Sequence, residues 1–243
     1  MQRTRLDKFL IAQLNVNRNS VRIMLAQKRV LVDDAIAVDA DLIIDKFSNV
    51  IVDGNVLTST TASYVMLHKP IGVVSATKDT QHKTVLDLLD IDDYPEKAEL
   101  HIVGRLDLNT SGLILLTNDS RWSESLSQPD KKVTKRYRVT LENPMTSDEV
   151  RNEYHTAFAA GMYFGYEDIT TKPAKLEFID DHTVIISLVE GKYHQIKRMF
   201  GRFQNKVIAL HRLSVGGLQL DGNLLVTQSR QLTACEIVNI RVK

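Results

Sequence analysis

The sequence has one cysteine, Cys235, among its 243 residues. A single cysteine excludes an internal disulfide and leaves too few thiolates for a cysteine-based zinc site. No apolar run approaches the roughly 18 residues that a membrane-spanning helix needs. The N-terminal segment MQRTRLDKFL has charges but neither the apolar stretch nor the cleavage site of a secretory signal. These absences predict a cytoplasmic protein that does not contact a membrane.

Several catalytic motifs are also absent. The chain contains no G-x-x-x-x-G-K-[ST] loop, no G-x-G-x-x-G loop and no G-x-S-x-G elbow. Nothing therefore predicts nucleotide hydrolysis, dinucleotide redox chemistry or serine hydrolase activity. His194 has no second histidine or carboxylate at a suitable spacing on the same predicted helix, so no metal site is expected.

The net charge is only +1, but the charges are unevenly distributed. Residues 1–31 carry seven cations against one acidic residue, and KKVTKRYR (131–138) carries five cations and no anion. Residues 190–212 contain six cations and a single glutamate. Three basic clusters on a near-neutral chain fit one polyanion-binding face, and they equally fit three separate solvated faces.

The chain is expected to form two domains, residues 1–60 and 64–243, joined by the polar segment TSTTAS (58–63). Residues 4–31 have the apolar spacing of two short helices, with Thr4 as the first cap and Asn19 or Ser20 as the second. Short strands follow in RVLVDDAIAV (29–38) and IVDGNVL (51–57).

Strand patterns outnumber helix patterns after Tyr64. Most connections between the predicted strands are too short for regular βαβ crossovers. The expected fold class is therefore α+β: a small αβ domain followed by a domain built on a mixed, mostly antiparallel sheet. Helices are expected in TVLDLLD (84–90), SRWSESL, TSDEVRNEYHTAFAAG and YHQIKRMFGRF.

The first candidate site is the loop that opens GRLDLNTSGLILLTND (104–119). Asp107 lies there among polar residues and just before an apolar run that predicts a buried strand. A carboxylate can act as nucleophile or general base without a cofactor. Aspartate also favours turns, and composition alone favours that structural interpretation.

Two further segments carry functional candidates. EGKYHQIKRMFGRF (190–203) crowds His194, Gln195, Lys197 and Arg198 into one or two helical turns. A lysine near a buried aspartate would keep it ionised, although an amphipathic surface helix explains the pattern as well. In KKVTKRYRV, Tyr137 alternates with cations, as in strands that stack unpaired bases, or it is a half-buried core ring.

Together these segments resemble the RsuA-type pseudouridine synthases, the small-subunit ribosomal RNA branch of that family. GRLDLNTSGLILLTND carries the most specific part of the resemblance, and MLHKPIGVVSA, EDITTKPA and EGKYHQIKRMF match in the same order. RLDKFLIAQL, the basic helix after it and RVLVDD resemble the RNA-binding domain of small-subunit ribosomal protein S-four. The resemblance covers nearly the whole chain.

The resemblance implies a role for each matching residue. It assigns Asp107 as the catalytic aspartate, Tyr137 as the ring that packs against the target base, and Lys197 as the cation beside the aspartate. Arg198 is the alternative for that cation, and Leu213 is expected to supply an apolar wall. The residues expected to contact substrate or RNA are Arg105, Arg198, Lys135, Arg136, Arg5, Lys8, Arg22, Lys28 and Arg29.

The family's reaction needs no cofactor and no metal, because uracil is detached, turned and rejoined through carbon. The implied partner is ribosomal RNA within a small-subunit assembly particle, and the implied state is a monomer. A paralogue acting on large-subunit rRNA and a non-catalytic assembly factor are the alternatives. One departure is the turn Val32-Asp33-Asp34, which places negative charge where the S-four-like domain usually has Val-Asn-Gly.

Overall fold

A computed structural model describes residues 3–58 and 60–241 of the chain. The chain divides into two compact units, residues 1–62 and 63–243. Among the described residues, no helix has both the length and the apolar character needed to cross a bilayer.

The first unit packs two short helices against a four-stranded antiparallel sheet. Its sheet order is β3-β2-β5-β6, and β1 pairs with β4 in a separate ribbon. Leu6, Leu10 and Val21 are fully buried between the helices and the sheet. The elements are β1 (Thr4–Arg5), α1 (Leu6–Leu14), α2 (Arg18–Ala26), β2 (Val30–Val32), β3 (Ala35–Ile36), β4 (Ile43–Ile44), β5 (Val50–Val52) and β6 (Asn55–Thr58).

Both predicted helix caps in this unit are wrong. Thr4 lies in β1, and α1 begins after Arg5, which has no capping side-chain bond. The second helix starts one turn earlier than expected, because the Asn17 side chain accepts from the Ser20 backbone N–H. The predicted turn at residues 33–34 is confirmed, with both aspartates at positive φ.

The second unit is built on a nine-stranded mixed sheet. Its main path is β13-β14-β10-β15-β9-β7-β17, with β16 beside β15 and β8 beside β9. The elements are β7 (Tyr64–Lys69), β8 (His101–Val103), β9 (Ser111–Thr117), α3 (Ser120–Ser127), β10 (Lys135–Leu141), α4 (Asp148–Ala160), β11 (Tyr163–Phe164), β12 (Ile169–Thr170), β13 (Lys175–Phe178), β14 (Thr183–Leu188), α5 (Gln195–Gly201), β15 (Val207–Val215), β16 (Leu218–Gln219), β17 (Ser229–Gln231) and α6 (Ala234–Asn239).

The expected α+β class with a mostly antiparallel sheet is confirmed. The described strand pairs of the large sheet are antiparallel except one, β9 with β15, where Ser111 lies opposite His211 and Gly112 opposite Arg212. The helix expected at 84–90 is only a single 3₁₀ turn, Leu86–Leu88. It ends there because Leu89 adopts an extended backbone.

Strand β9 is buried on both faces, which explains its continuous apolar run. Ile114 and Leu116 belong to a core that also contains α4 and α5 side chains. Leu113 and Leu115 face a second core with Trp122 of α3. All four β9 side chains have no exposed surface. The strand is therefore a rigid support for the loop that precedes it.

Candidate active site

The loop that carries Asp107 is held by a buried lysine. Lys69, at the end of β7, has no exposed surface, and its Nζ donates to three backbone carbonyls. The distances are 2.9 Å to Pro70, 3.1 Å to Asp107 and 2.8 Å to Thr110. The Thr110 N–H also donates back to the Asp107 carbonyl at 3.0 Å. These bonds fix the backbone of the loop and so the direction of the Asp107 side chain.

Burial lowers the pKa of Lys69 to about 8, although the negative charge of Asp107 opposes the shift and Arg212 adds to it. A lysine with this pKa is still mostly protonated at neutral pH. The ammonium thus supplies its three donors to the loop under physiological conditions.

Two side chains from the segment 191–201 reach the Asp107 carboxylate, the ammonium of Lys197 and the imidazole of His194. The Oδ2 atom lies 3.7 Å from Lys197 Nζ and 3.5 Å from His194 Nε2. The Asp107 side chain is 35% exposed. His194 is at the N-terminal cap of α5 with φ 47°, and the ring of Tyr193 stacks on it at a centroid distance of 3.9 Å. Asp107 therefore combines access from solvent with the side-chain nitrogens of Lys197 and His194 beside its carboxylate.

Asp107 borders a cavity of about 490 Å³. Tyr137 is 9% exposed and contributes its ring to the lining. Apolar residues line part of the same cavity: Val103, Leu106, Leu126, Leu188, Ile196, Leu210 and Val215. A cavity with an aromatic wall and a charged group at one side can enclose a single base and its sugar.

The remaining predicted substrate residues of this unit are placed differently. Arg105 is exposed and lines the cavity, and Lys135 lines it as well. Arg136 faces the other side of the sheet, where it pairs with Glu177 at 3.3 Å. Arg198 does not line the cavity; it forms a bidentate pair with Glu167 at 2.6 and 2.7 Å. Of the two candidate cations, Lys197 is thus the one beside Asp107.

The apolar wall expected from Leu213 is not part of the cavity. A β-bulge in β15 makes Leu213 an extra residue, since Arg136 pairs with Ser214 and Tyr137 pairs with Arg212. Leu213 instead lines a separate pocket beside His68. The neighbouring strand positions Leu210 and Arg212 face the cavity. An expectation of strict side-chain alternation along β15 does not reveal this extra residue.

The predicted RNA contacts of the first unit fall into two groups. Arg5 and Arg29 are engaged with carboxylates: Arg5 with Asp7 and Asp41, and Arg29 with Asp53. Lys8, Arg22 and Lys28 are exposed, and none of the ion pairs found in the described part of the chain involves them. Within the described ranges no cluster of His, Cys, Asp or Glu side chains could hold a metal ion.

Comparison with known proteins identifies the family. The RNA pseudouridylate synthase family model matches residues 63–201. A relative from Pseudomonas aeruginosa, named ribosomal small subunit pseudouridine synthase A, is 44% identical across 97% of this chain and 100% of its own length. The chain belongs to the RNA pseudouridylate synthase family. The family expected from the sequence motifs is therefore confirmed.

Other relatives of this pseudouridylate synthase cover the same extent. The Escherichia coli (strain K12) protein named ribosomal small subunit pseudouridine synthase A is 40% identical over 97% of this chain and 99% of its own. A crystal structure described as a pseudouridylate synthase is 36% identical and covers 97% of this chain and 99% of its own, with a TM-score of 0.68. The fold of the pseudouridylate synthase thus extends over almost the full length.

Sequence reasoning missed several residues of the pseudouridylate synthase site. Lys69 was passed over, although a lysine on the buried face of a strand that also carries Val65 and Leu67 signals a special role. Arg212 was counted only as part of a basic cluster. His194 was named within the polar cluster of residues 190–203 and rejected as a metal ligand, but its place beside Asp107, at a cap position with positive φ, was not predicted.

Proposed function

We propose that this pseudouridine synthase converts one uridine of small-subunit (16S) ribosomal RNA to pseudouridine, with Asp107 as the catalytic carboxylate. The substrate assignment is supported by relatives at 38–44% identity that are named ribosomal small subunit pseudouridine synthase A. The observation that carries the catalytic assignment is the 3.7 Å distance between Lys197 Nζ and Asp107 Oδ2 in the lining of the cavity.

The chemistry follows from the groups around the cavity. The C1′–N1 bond of uridine breaks, a C1′–C5 bond forms, and the C5 proton is replaced by a proton on N1, so atoms and charge balance without a redox partner. Asp107 either attacks C1′ or removes a sugar proton as the glycosidic bond breaks. Lys197, 3.7 Å from the carboxylate, suits the role of its charge partner in both routes.

Tyr137 suits the role of wall for the detached uracil. The free base has to rotate without escaping, and a buried aromatic ring limits its movement while excluding water. The target uridine also has to leave its stack, at a cost of a few kcal/mol. Contacts from Arg105 and Lys135 to the flanking phosphates would offset that cost.

The two units have different roles in this proposal, RNA binding and catalysis. Residues 1–60 serve as an S-four-like RNA-binding domain, and residues 64–243 as the catalytic domain. Lys8, Arg22 and Lys28 are exposed cations of the first domain that are available to phosphates. The protein would act as a cytoplasmic monomer on an assembling small-subunit particle.

The substrate test is a pseudouridine map of rRNA from cells that lack the protein, made by carbodiimide-blocked primer extension. We expect one small-subunit position to lose its modification. Loss of a large-subunit position instead would show a paralogous specificity, and an unchanged map would contradict enzymatic action on rRNA.

The catalytic test is Asp107→Asn with Asp92→Asn as the matched control, because Asp92 is an exposed carboxylate of the same unit. The Asp107 variant should bind rRNA as the wild type does and form no pseudouridine. Asp92→Asn should retain activity. Normal product from Asp107→Asn would refute the role of that carboxylate.

Salt dependence tests the RNA-binding assignment of the first domain. Each phosphate contact contributes about 0.7–0.9 to the slope of log affinity against log salt. Replacing Lys8, Arg22 and Lys28 by glutamine should therefore reduce the slope by about 2 in a filter-binding titration. An identical slope would show that these cations do not touch phosphate.

A further inference from the structure

The catalytic cavity contains a buried arginine whose bonding is incomplete. Arg212 is 2% exposed, and its Nε donates to the Leu113 carbonyl at 2.7 Å. Its Nη2 atom is buried and has no hydrogen-bond partner in the structure. A guanidinium nitrogen left unpaired away from water is costly, so such an atom calls for an explanation.

A second cation faces the same cavity. Lys135 lies on β10, one pleat from Tyr137, and its Nζ has only a long contact of 3.5 Å, with the Leu126 carbonyl. Burial, followed by repulsion from Arg212, lowers the pKa of Lys135 to about 8. Two cations thus lie in one partly desolvated cavity, and each disfavours the charged form of the other.

No carboxylate of the described residues forms an ion pair with either cation. The cavity has two acidic side chains, and both are engaged elsewhere. Asp107 faces Lys197 and His194. Glu190 accepts from the Lys172 N–H at 2.7 Å and from Gln195 Nε2 at 2.8 Å.

Unpaired polar atoms are concentrated at this cavity. The described residues include three buried side-chain atoms without a partner, and two of them belong to residues of the cavity lining, Arg212 and Thr110. A cavity lining that contains an unpaired hydrogen-bond donor and an uncompensated positive charge is typical of an anion-binding site.

The space next to the guanidinium is also open. Gly104 borders it, and even a Cβ built at Gly104 would stay 4.0 Å from Arg212 Nη1. The β-bulge at Leu213 lets both Arg212 and Val215 face this space. A phosphate oxygen that binds the guanidinium would approach in its plane, where the N–H donors point.

We propose that Arg212 and Lys135 form a phosphate subsite that binds the phosphodiester group attached to the target nucleoside. The proposal rests on the proposed function, because it takes the cavity's occupant to be a nucleotide of RNA. Uracil and ribose are neutral, so the phosphate is the part of a nucleotide that two unpaired cations favour. A guanidinium and an ammonium together match phosphate oxygens in charge and geometry.

The subsite would orient the nucleotide relative to Asp107. Arg212 pairs with Tyr137 across the strands and Lys135 lies one pleat away on β10, so a phosphate bound there would bring its own sugar and base beside Tyr137. The sugar is where both of the routes open to Asp107 begin. Arg212 and Lys135 are accordingly positioning residues, since they would hold the substrate without taking part in bond exchange.

The test compares three small probes on the full-length protein by NMR titration: uridine, uridine 5′-monophosphate and uridine 3′-monophosphate. We expect at least one monophosphate to bind about tenfold more tightly than uridine, a difference typical of charge-assisted bonds. Lys135→Gln and Arg212→Lys should remove most of that preference. Arg138→Met is the matched control, because Arg138 is exposed on the opposite face of the same strand.

Lys135 is only partly buried, so Lys135→Gln remains informative even if Arg212→Lys fails to fold. Trp122 fluorescence reports the folding of each variant. If neither monophosphate binds better than uridine, or if both variants keep the preference, the subsite is refuted. A retained phosphate preference in a protein that leaves rRNA unmodified would instead overturn the proposed function alone.

Discussion

Replacing Lys69 by methionine would test whether the loop of Asp107 depends on a buried ammonium. The substitution keeps most of the volume but leaves the carbonyls of Pro70, Asp107 and Thr110 without their donor. Each carbonyl that stays dry costs about 1–3 kcal/mol. The substitution also removes a buried charge, and this offsets part of the loss of stability. We therefore expect Lys69→Met to be less stable than the wild type at pH 7 by roughly 3 kcal/mol.

The pH dependence gives a sharper signature. The pKa of Lys69 is lowered from 10.5 to about 8 on folding, so the unfolded chain binds more protons above pH 8. Stability from this group is therefore lowest below pH 8 and rises as the pH passes from 8 towards 10.5. Between pH 7 and pH 9.5 the wild type should gain about 2 kcal/mol that Lys69→Met cannot gain.

Urea denaturation followed by fluorescence measures this difference. Trp122 is the single tryptophan of the chain and is buried in the second unit, so the signal reports on the unit that contains Lys69. The gap between wild type and Lys69→Met should widen from roughly 3 to roughly 5 kcal/mol on going from pH 7 to pH 9.5. Lys175→Met, at an exposed position, should follow the wild-type pH dependence. A gap that stays constant or narrows would refute the assigned cost of burying the ammonium.

Two further predictions follow from charged pairs. Lys197→Met should lower the rate of pseudouridine formation in a single-turnover assay, because Asp107 loses the ammonium that lies 3.7 Å from its carboxylate; Lys197→Arg should restore most of the activity, and an unchanged rate in Lys197→Met would count against the pairing. Glu236, whose pKa is lowered to about 2 mainly by hydrogen bonds from Arg230, stabilises the fold above pH 4.5 and loses that contribution as the pH falls towards 2. Glu236→Gln should therefore melt below the wild type at pH 7 and match it near pH 2, and a difference that persists in acid would contradict this account.

Much of the fold was predictable because it depends on local patterns. The Leu113–Leu116 run predicted a buried strand, and β9 is a strand whose side chains are buried on both faces. The cap of α2 was mispredicted because Asn17 caps this helix in place of the expected Asn19 or Ser20. Local sequence preference does not distinguish among neighbouring polar residues that are all able to cap.

The site was less predictable, because it depends on contacts between distant strands. Asp107, Tyr137 and Lys197 were found through motif resemblance, and their residues do border one cavity. Leu213 was expected from the resemblance alone, and as the extra residue of the bulge in β15 it lines a different pocket. The importance of Lys69 and Arg212 depends on burial, which the sequence signals only for Lys69, through its place on the face of β7 that carries Val65 and Leu67.

The single parallel contact between β9 and β15 has a consequence for the order of events during synthesis. It joins residues 111–112 to residues 211–212, so the two sides of the cavity are separated by about a hundred positions in the chain. Strand β15 also lies between β9 and β10 in the sheet. A nascent chain that has not yet released β15 from the ribosome consequently has Asp107 but no cavity beside it. Long-range pairing of this kind forms late and slowly, so the enzyme becomes competent only when its synthesis is nearly complete.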